Sequence, residues 1–449
     1  MTQNKSLIIL VIILLTGIFL RFYLSPINNK GDVYVHQDWA KILYQQGIRG
    51  SYFFQNWTYS PPTQPPLMML GFWTSHYLFV HRYVLAKIHN IIHFPPADFL
   101  IWLDTNGEFI ALKIWSFLAD IIAGIFIYYF IKKITKKNSI SLIAASLYYL
   151  NPIILFETAL WGQNDTLGML FSTLAILLVN FTSLLPFTPV IFLIGLMTKP
   201  TVLILIPIFV FLYFYQLLHQ NPKKRLIYLG ISLFSCLILT IISFYPFVSK
   251  STVIPDTYTI ITQRIAPNSK GVIRASNSAL NFYSLFFQID HTPGNTLFLK
   301  ISLTAWGYLF YFVLNLFSIF LFLISKIKSK HFPLLSIIYI ISQGSFLFMT
   351  GMLERYFFPA FMASILLLVL NFKNYGFLFI LQNILWFINL YYSFFLRDSG
   401  PLRTAFSSNN FLLVRLFSLM SIFTYILIVR RLTIDILRKP SKSLYTNNL

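Results

Sequence analysis

The chain holds a single cysteine, Cys236, in 449 residues, and it lies inside an apolar run. That excludes a disulfide framework and a cysteine-based zinc site. Charge is scarce as well: only 10% of residues are charged, and 13 are acidic against 34 Lys and Arg. No separate soluble domain and no internal repeat is visible. Hydrophobic residues make up 57% of the chain, and apolar runs of about 18 to 25 residues recur, the length that crosses a bilayer's hydrocarbon core. The sequence therefore predicts an all-α polytopic membrane protein, one domain over residues 1 to 449.

A net charge of +21 would point a soluble domain toward nucleic acid. Here the basic residues sit in short loops between apolar runs, which is the positive-inside pattern and makes membrane lipid the expected partner instead. The 48 Phe and 26 Tyr are expected where rings meet the membrane interface, and they call for no cofactor.

Near the N-terminus, Lys5 precedes an apolar stretch from Leu7 to Leu20 followed by Arg21-Phe22-Tyr23 rather than a small-residue cleavage site. It reads as a retained anchor. Spans are expected near 6–24, 109–131, 140–157, 166–183, 187–198, 200–217, 226–248, 303–325, 332–350, 356–371, 374–395 and 410–429. About twelve crossings place Lys132 to Lys137, Lys223 to Arg225, Lys326 to Lys330, Lys373 and Arg430-Arg431 on one side, with both termini cytoplasmic. Lys199-Pro200 separates two of these runs, since Pro breaks the helical ladder and Lys is costly in lipid. Two long external loops remain, 25–108 and 249–302. Counting the apolar stretch from Pro65 to about Val80 as a span would reverse the Lys132 cluster, so an amphipathic helix on the membrane surface is expected there.

Function is expected in those loops. The first holds Asp32, His36 and Asp38, and a helix over 33–47 would bring Asp38 near Asp32 on one pocket; such carboxylates are also often merely solvated. Glu157 and Asp165 flank a polar Trp-Gly-Gln-Asn turn, where Asp165 either serves function or caps the next helix. Asp120, within an apolar span and seven residues after Lys113 on roughly the same face, is expected to form a buried pair or an interhelical bond. The second loop carries Arg264, Lys270 and Arg274, and the arginine guanidinium groups suit a phosphate as well as anionic lipids in general. Glu354-Arg355 adds either a site or an ion pair at a later helix junction.

These stretches resemble the GT-C superfamily, the membrane glycosyltransferases that use polyprenyl-phosphate sugars, including dolichyl-phosphate-glucose-dependent enzymes of N-glycan assembly. Gly31-Asp32 with Trp39 resembles the family's Gly-Asp and following Trp, and Tyr59 to Pro62 resembles its Tyr-Pro-Pro turn. Arg264, Pro267, Gly271 and Asn281-Phe282 resemble the Arg, Pro, Gly and Asn-Phe of its later loop, and Glu354-Arg355 a late acidic-basic pair. Leu353 departs from the His of eukaryotic members, while the Trp-Gly-Gln-Asn-Asp turn looks more like prokaryotic ones.

The resemblance implies a GT-C-like fold with about twelve helices and a multi-pass enzyme of the plasma membrane in a prokaryote, or of the endoplasmic reticulum in a eukaryote. It implies an inverting hexosyltransferase, with mannose or glucose as the sugar. Asp32 would be the catalytic base, and Asp38, Trp39, Asp165, Arg264, Asn281, Glu354 and Arg355 would bind substrate. The donor would be a polyprenyl-phosphate sugar and the acceptor a lipid-linked sugar or glycan, with no cofactor or metal expected. The competing expectations are a transporter or flippase of lipid-linked sugars, with ionisable groups near the bilayer midplane, and a polysaccharide ligase or polymerase.

Overall fold

The computed structural model describes residues 3–27, 31–249, 251–266, 273–325, 331–395, 401–407 and 411–437. Pro267, Lys270 and Gly271, and the basic residues Lys326, Lys328 and Lys330, lie outside them. Regular structure among the described residues is helical apart from one antiparallel pairing, Leu297–Phe298 with Ile301–Ser302.

The chain begins with α1 (Gln3–Leu24), α2 (Asp32–Gln46), α3 (Pro66–Val80), α4 (Tyr83–Ile92) and α5 (Ala97–Thr135). It continues with α6 (Asn138–Tyr149), α7 (Pro152–Ile154), a π-helical turn Leu155–Trp161, α8 (Asp165–Leu178), α9 (Thr188–Thr198), α10 (Ile206–Leu218) and α11 (Pro222–Phe244). The second long loop carries α12 (Val253–Thr259), a π-helical turn Ile260–Ile265 and α13 (Phe282–Phe286). The remainder is α14 (Leu303–Leu323), α15 (His331–Phe348), α16 (Phe358–Leu370), α17 (Phe372–Phe395), α18 (Pro401–Ser407) and α19 (Leu412–Leu437).

Eight helices among the described residues are long and apolar enough to cross a membrane, and four shorter apolar ones accompany them. The protein is an integral membrane protein. The expected apolar spans fall on these helices, but α5 is much longer than its expected 109–131. No proline interrupts Ala97 to Thr135, whose only glycines, Gly107 and Gly124, are tolerated, and Pro95-Pro96 stands just before its start. Its 39 residues rise about 58 Å, against a hydrocarbon core of about 30 Å.

Burial sorts the helices into inner and outer. In α16 every residue from Phe358 to Leu368 is buried, as suits a helix that is apolar all round. In α11, by contrast, Leu226, Leu233, Phe234, Leu237 and Ile242 are exposed, an apolar area that only lipid or a partner satisfies. The main core joins α5, α6, α8, α9, α10 and α15 through α17 with α19.

One local expectation changes. The stretch at 65–80 is helical, but α3 is not a free surface helix: Met68, Met69, Phe72, Ser75 and His76 form one buried face. The hydrophobic alternation of an amphipathic helix belongs instead to α4, where Val84, Leu85, Ile88, Ile91 and Ile92 share one side and no residue is buried. Asp120 makes the interhelical bond expected of it, with Arg21 of α1 rather than with Lys113. Seven residues put Asp120 and Lys113 on one face but about 10 Å apart along the axis. Asp120 bonds Arg21 at 2.9 Å, both side chains being fully buried, while Lys113 Nζ donates to the carbonyls of Ser25 (2.8 Å) and Ala159 (2.7 Å).

Candidate active site

Asp32 is the first residue of α2, placed there by Gly31 at φ +48° and ψ −100°, a conformation that a side chain disfavours. Gly31 O accepts from the N–H groups of Tyr34 and Val35 and so starts the helix. Trp39, two turns on, donates its indole N–H to Ser60 O at 2.7 Å. The Tyr59 to Pro62 segment is thereby fastened against α2.

Asp32 opens on a cavity of about 720 Å³ whose walls also come from residues 60–64, 199–204, 264–266, 273–277, 304–311 and 349–356. Trp39, Lys199, Arg264, Arg274 and Arg355 also line it. Asp32, Trp39, Arg264 and Arg355, predicted from the sequence, therefore meet at one place.

The π-helical turn Leu155–Trp161 delivers the floor. It ends at Gly162, at φ +73°, where a Cβ would stand 2.7 Å from Val33 Cγ2 and 2.9 Å from Lys113 Cε. Only glycine passes there. The chain then presents Trp161 Nε1–H and Gln163 Nε2–H to Asp32 Oδ2, at 3.2 and 2.5 Å. Lys199 Nζ, at the break between α9 and the 3-10 turn Pro200–Leu205, lies 2.8 Å from Asp165 Oδ2 and 2.8 Å from Asn164 Oδ1.

Arg355 bridges three acids. Its guanidinium pairs with Glu354, reaches Asp165 at 3.6 Å and stands 3.8 Å from Asp32 Oδ2, with the Trp161 ring 5.5 Å away. Burial raises the Asp32 carboxyl, but the Arg355 charge, with Lys199 and the Trp161 N–H, outweighs it and holds Asp32 below the usual carboxylate range. Asp32 is thus ionised at neutral pH, and its side chain keeps 41% of its surface open. Burial, only partly offset by Asp32, pushes His36 down to about 3; its neutral ring stacks on Phe72 at 4.4 Å.

The other predicted residues lie behind the wall or away from it. Asp165 and Glu354 are buried and act through Lys199 and Arg355. Asp165 is not the side-chain cap of α8: the N-cap is Asn164 and makes no such bond. Asp38 does not line the cavity. Its carboxylate accepts from Thr58 N (2.8 Å) and Thr58 Oγ1 (2.7 Å) and shapes the turn before Tyr59. Asn281 does not line it either, being the fully buried cap of α13 in a capping box with Ser284. Both residues hold structural contacts away from the cavity rather than facing a ligand: the two Asp38 oxygens are taken by Thr58, and Asn281 Oδ1 caps α13.

Lys199 and Gln163 are site residues that sequence reasoning passed over. A lysine beside a proline between two apolar runs was signal enough, since an intramembrane cation marks function by default. Gln163 carried none, as one polar residue in a turn. Among the described residues no group of three or more His, Cys, Asp or Glu is arranged to hold a metal ion. The sequence matches no protein-family model and no curated protein.

Proposed function

We propose that this chain is an inverting hexosyltransferase of the GT-C type, with about twelve spans, that moves a hexose from a polyprenyl-phosphate carrier to a lipid-linked or cell-envelope acceptor on the external face of the membrane. The observation that carries the reading is the meeting of an ionised carboxylate, Asp32, with Lys199, Arg264, Arg274 and Arg355 on one cavity.

In this reading the acceptor hydroxyl attacks the anomeric carbon and passes its proton to Asp32. The bond from that carbon to the phosphate oxygen breaks, and the polyprenyl phosphate leaves with its charge facing arginine. Sharing Arg355 with the phosphate weakens its hold on Asp32 and makes the carboxylate more basic as the donor binds. The experiment is transfer of labelled hexose from polyprenyl-phosphate mannose or glucose by purified protein in liposomes. Movement of lipid-linked sugar across the bilayer without transfer would favour a flippase and sink the proposal.

Arg264→Lys and Arg355→Lys should each weaken donor use about tenfold, because a lysine loses the planar fork that grips phosphate. A donor KM unchanged in both, with kcat unchanged, removes them from the donor site.

The sidedness has its own test. In a Cys236→Ser background, cysteines replacing the exposed Asn56 and Thr105 should react with an impermeant thiol reagent on intact cells, and one replacing the exposed Ser139 should not. Labelling at Ser139 but not at Thr105 would put the cavity on the cytoplasmic face.

A further inference from the structure

Asp32 uses its two oxygens unequally. Oδ2 accepts from Gln163 Nε2 at 2.5 Å and from Trp161 Nε1 at 3.2 Å, and it is the oxygen nearest Arg355. An amide can present either oxygen or nitrogen to a partner. Here the choice is fixed from behind, because Lys199 Nζ lies 3.4 Å from Gln163 Oε1 and a cation accepts no hydrogen bond. Lys199 is itself held by Asn164 and Asp165, so the order of the network is set one residue after another.

We infer that Gln163, oriented by Lys199, and Trp161 are positioning residues that lock Asp32 Oδ2 and reserve Oδ1 as the oxygen that meets the acceptor hydroxyl. This rests on the transferase reading only for the identity of what Oδ1 meets; the lock itself is a property of the free protein. The charged and titratable groups facing Asp32 are His36 on its own helix, Lys199, and Arg355, with Glu354, Asp165 and Tyr356 behind the latter. None of them is altered in the variants below.

Two variants separate positioning from folding. Trp161→Phe keeps an aromatic ring beside Phe394, 5.2 Å away, and deletes the N–H together with one ring of the indole. Gln163→Leu keeps the volume and deletes the amide. Each removes a hydrogen bond to the charged form, so the Asp32 pKa should rise by about one unit.

The rise is read without any substrate, by infrared titration of aspartate carbonyl-labelled protein with Asp32→Asn as the blank. In the transfer assay the acid limb of kcat/KM should move up with it, kcat should fall about tenfold or more, and acceptor KM should hardly change. Gln163→Glu, which sets carboxylate against carboxylate, should be the most damaging. An Asp32 titration unmoved in both Trp161→Phe and Gln163→Leu overturns the lock even where the wild type transfers sugar. A moved titration in a protein that transfers no sugar keeps the lock and overturns the transferase reading alone.

Discussion

Asp32→Asn is expected to lower sugar transfer at least about 100-fold while leaving the protein folded and inserted. The substitution preserves shape, and an amide oxygen still accepts from Gln163 and Trp161. What disappears is the ability to take a proton. Donor KM should change little, since Arg264 and Arg355 remain, so the loss should fall on kcat. In the wild type, the Arg355 field keeps the carboxylate ionised, so activity through this group should persist through the ordinary carboxylate range, near 4, and fall only at lower pH. Turnover that survives Asp32→Asn in correctly inserted protein removes the residue from the chemistry.

Arg21→Met is expected to cost about 3 to 5 kcal/mol of stability. Arg21 donates to Asp120 and also to the carbonyls of Gly17 (3.1 Å) and Tyr149 (3.2 Å), and its guanidinium lies 4.1 Å from the centre of the Tyr149 ring. Deleting it leaves the Asp120 carboxylate buried without its cation, and a lone buried charge is far worse than none. Thermal unfolding in detergent, followed by size exclusion, should register the loss. Arg21→Met combined with Asp120→Leu should recover most of it, because two apolar side chains replace the pair and leave no unpaired charge. Equal stability of the single variant and the wild type would mean that the pair contributes nothing.

Helix positions were legible because apolar length is a local property, and Phe332–Phe348 and Phe358–Leu370 announce themselves in the sequence as plainly as the longer spans. Asp32 stood out as a candidate because acids are few in this chain, but the residues alone did not separate it from Asp38, and only the Gly-Asp resemblance did. Partners were not legible. Arg21 meets Asp120 across 99 residues and Gln163 meets Asp32 across 131, distances over which no pattern of spacing operates and only the packing of α1, α5 and the turn after α7 decides. Asp38 and Asn281 show the converse error. A polar residue in a functional loop carries the same letters whether it serves the ligand or the backbone, and here Thr58 and the start of α13 had already claimed them.

The turn Leu155–Trp161 winds more loosely than an α-helix, its Gly162 N–H reaching back to Glu157 O, so one more residue is held in the turn than α geometry takes. Tightening it to α geometry with every residue kept would swing everything beyond it by about 100°. The apolar character of the span would survive. Trp161 and Gln163 would face away from Asp32, and Asp165 would lose Lys199. The winding of this segment, rather than its residue types, therefore sets which face meets Asp32.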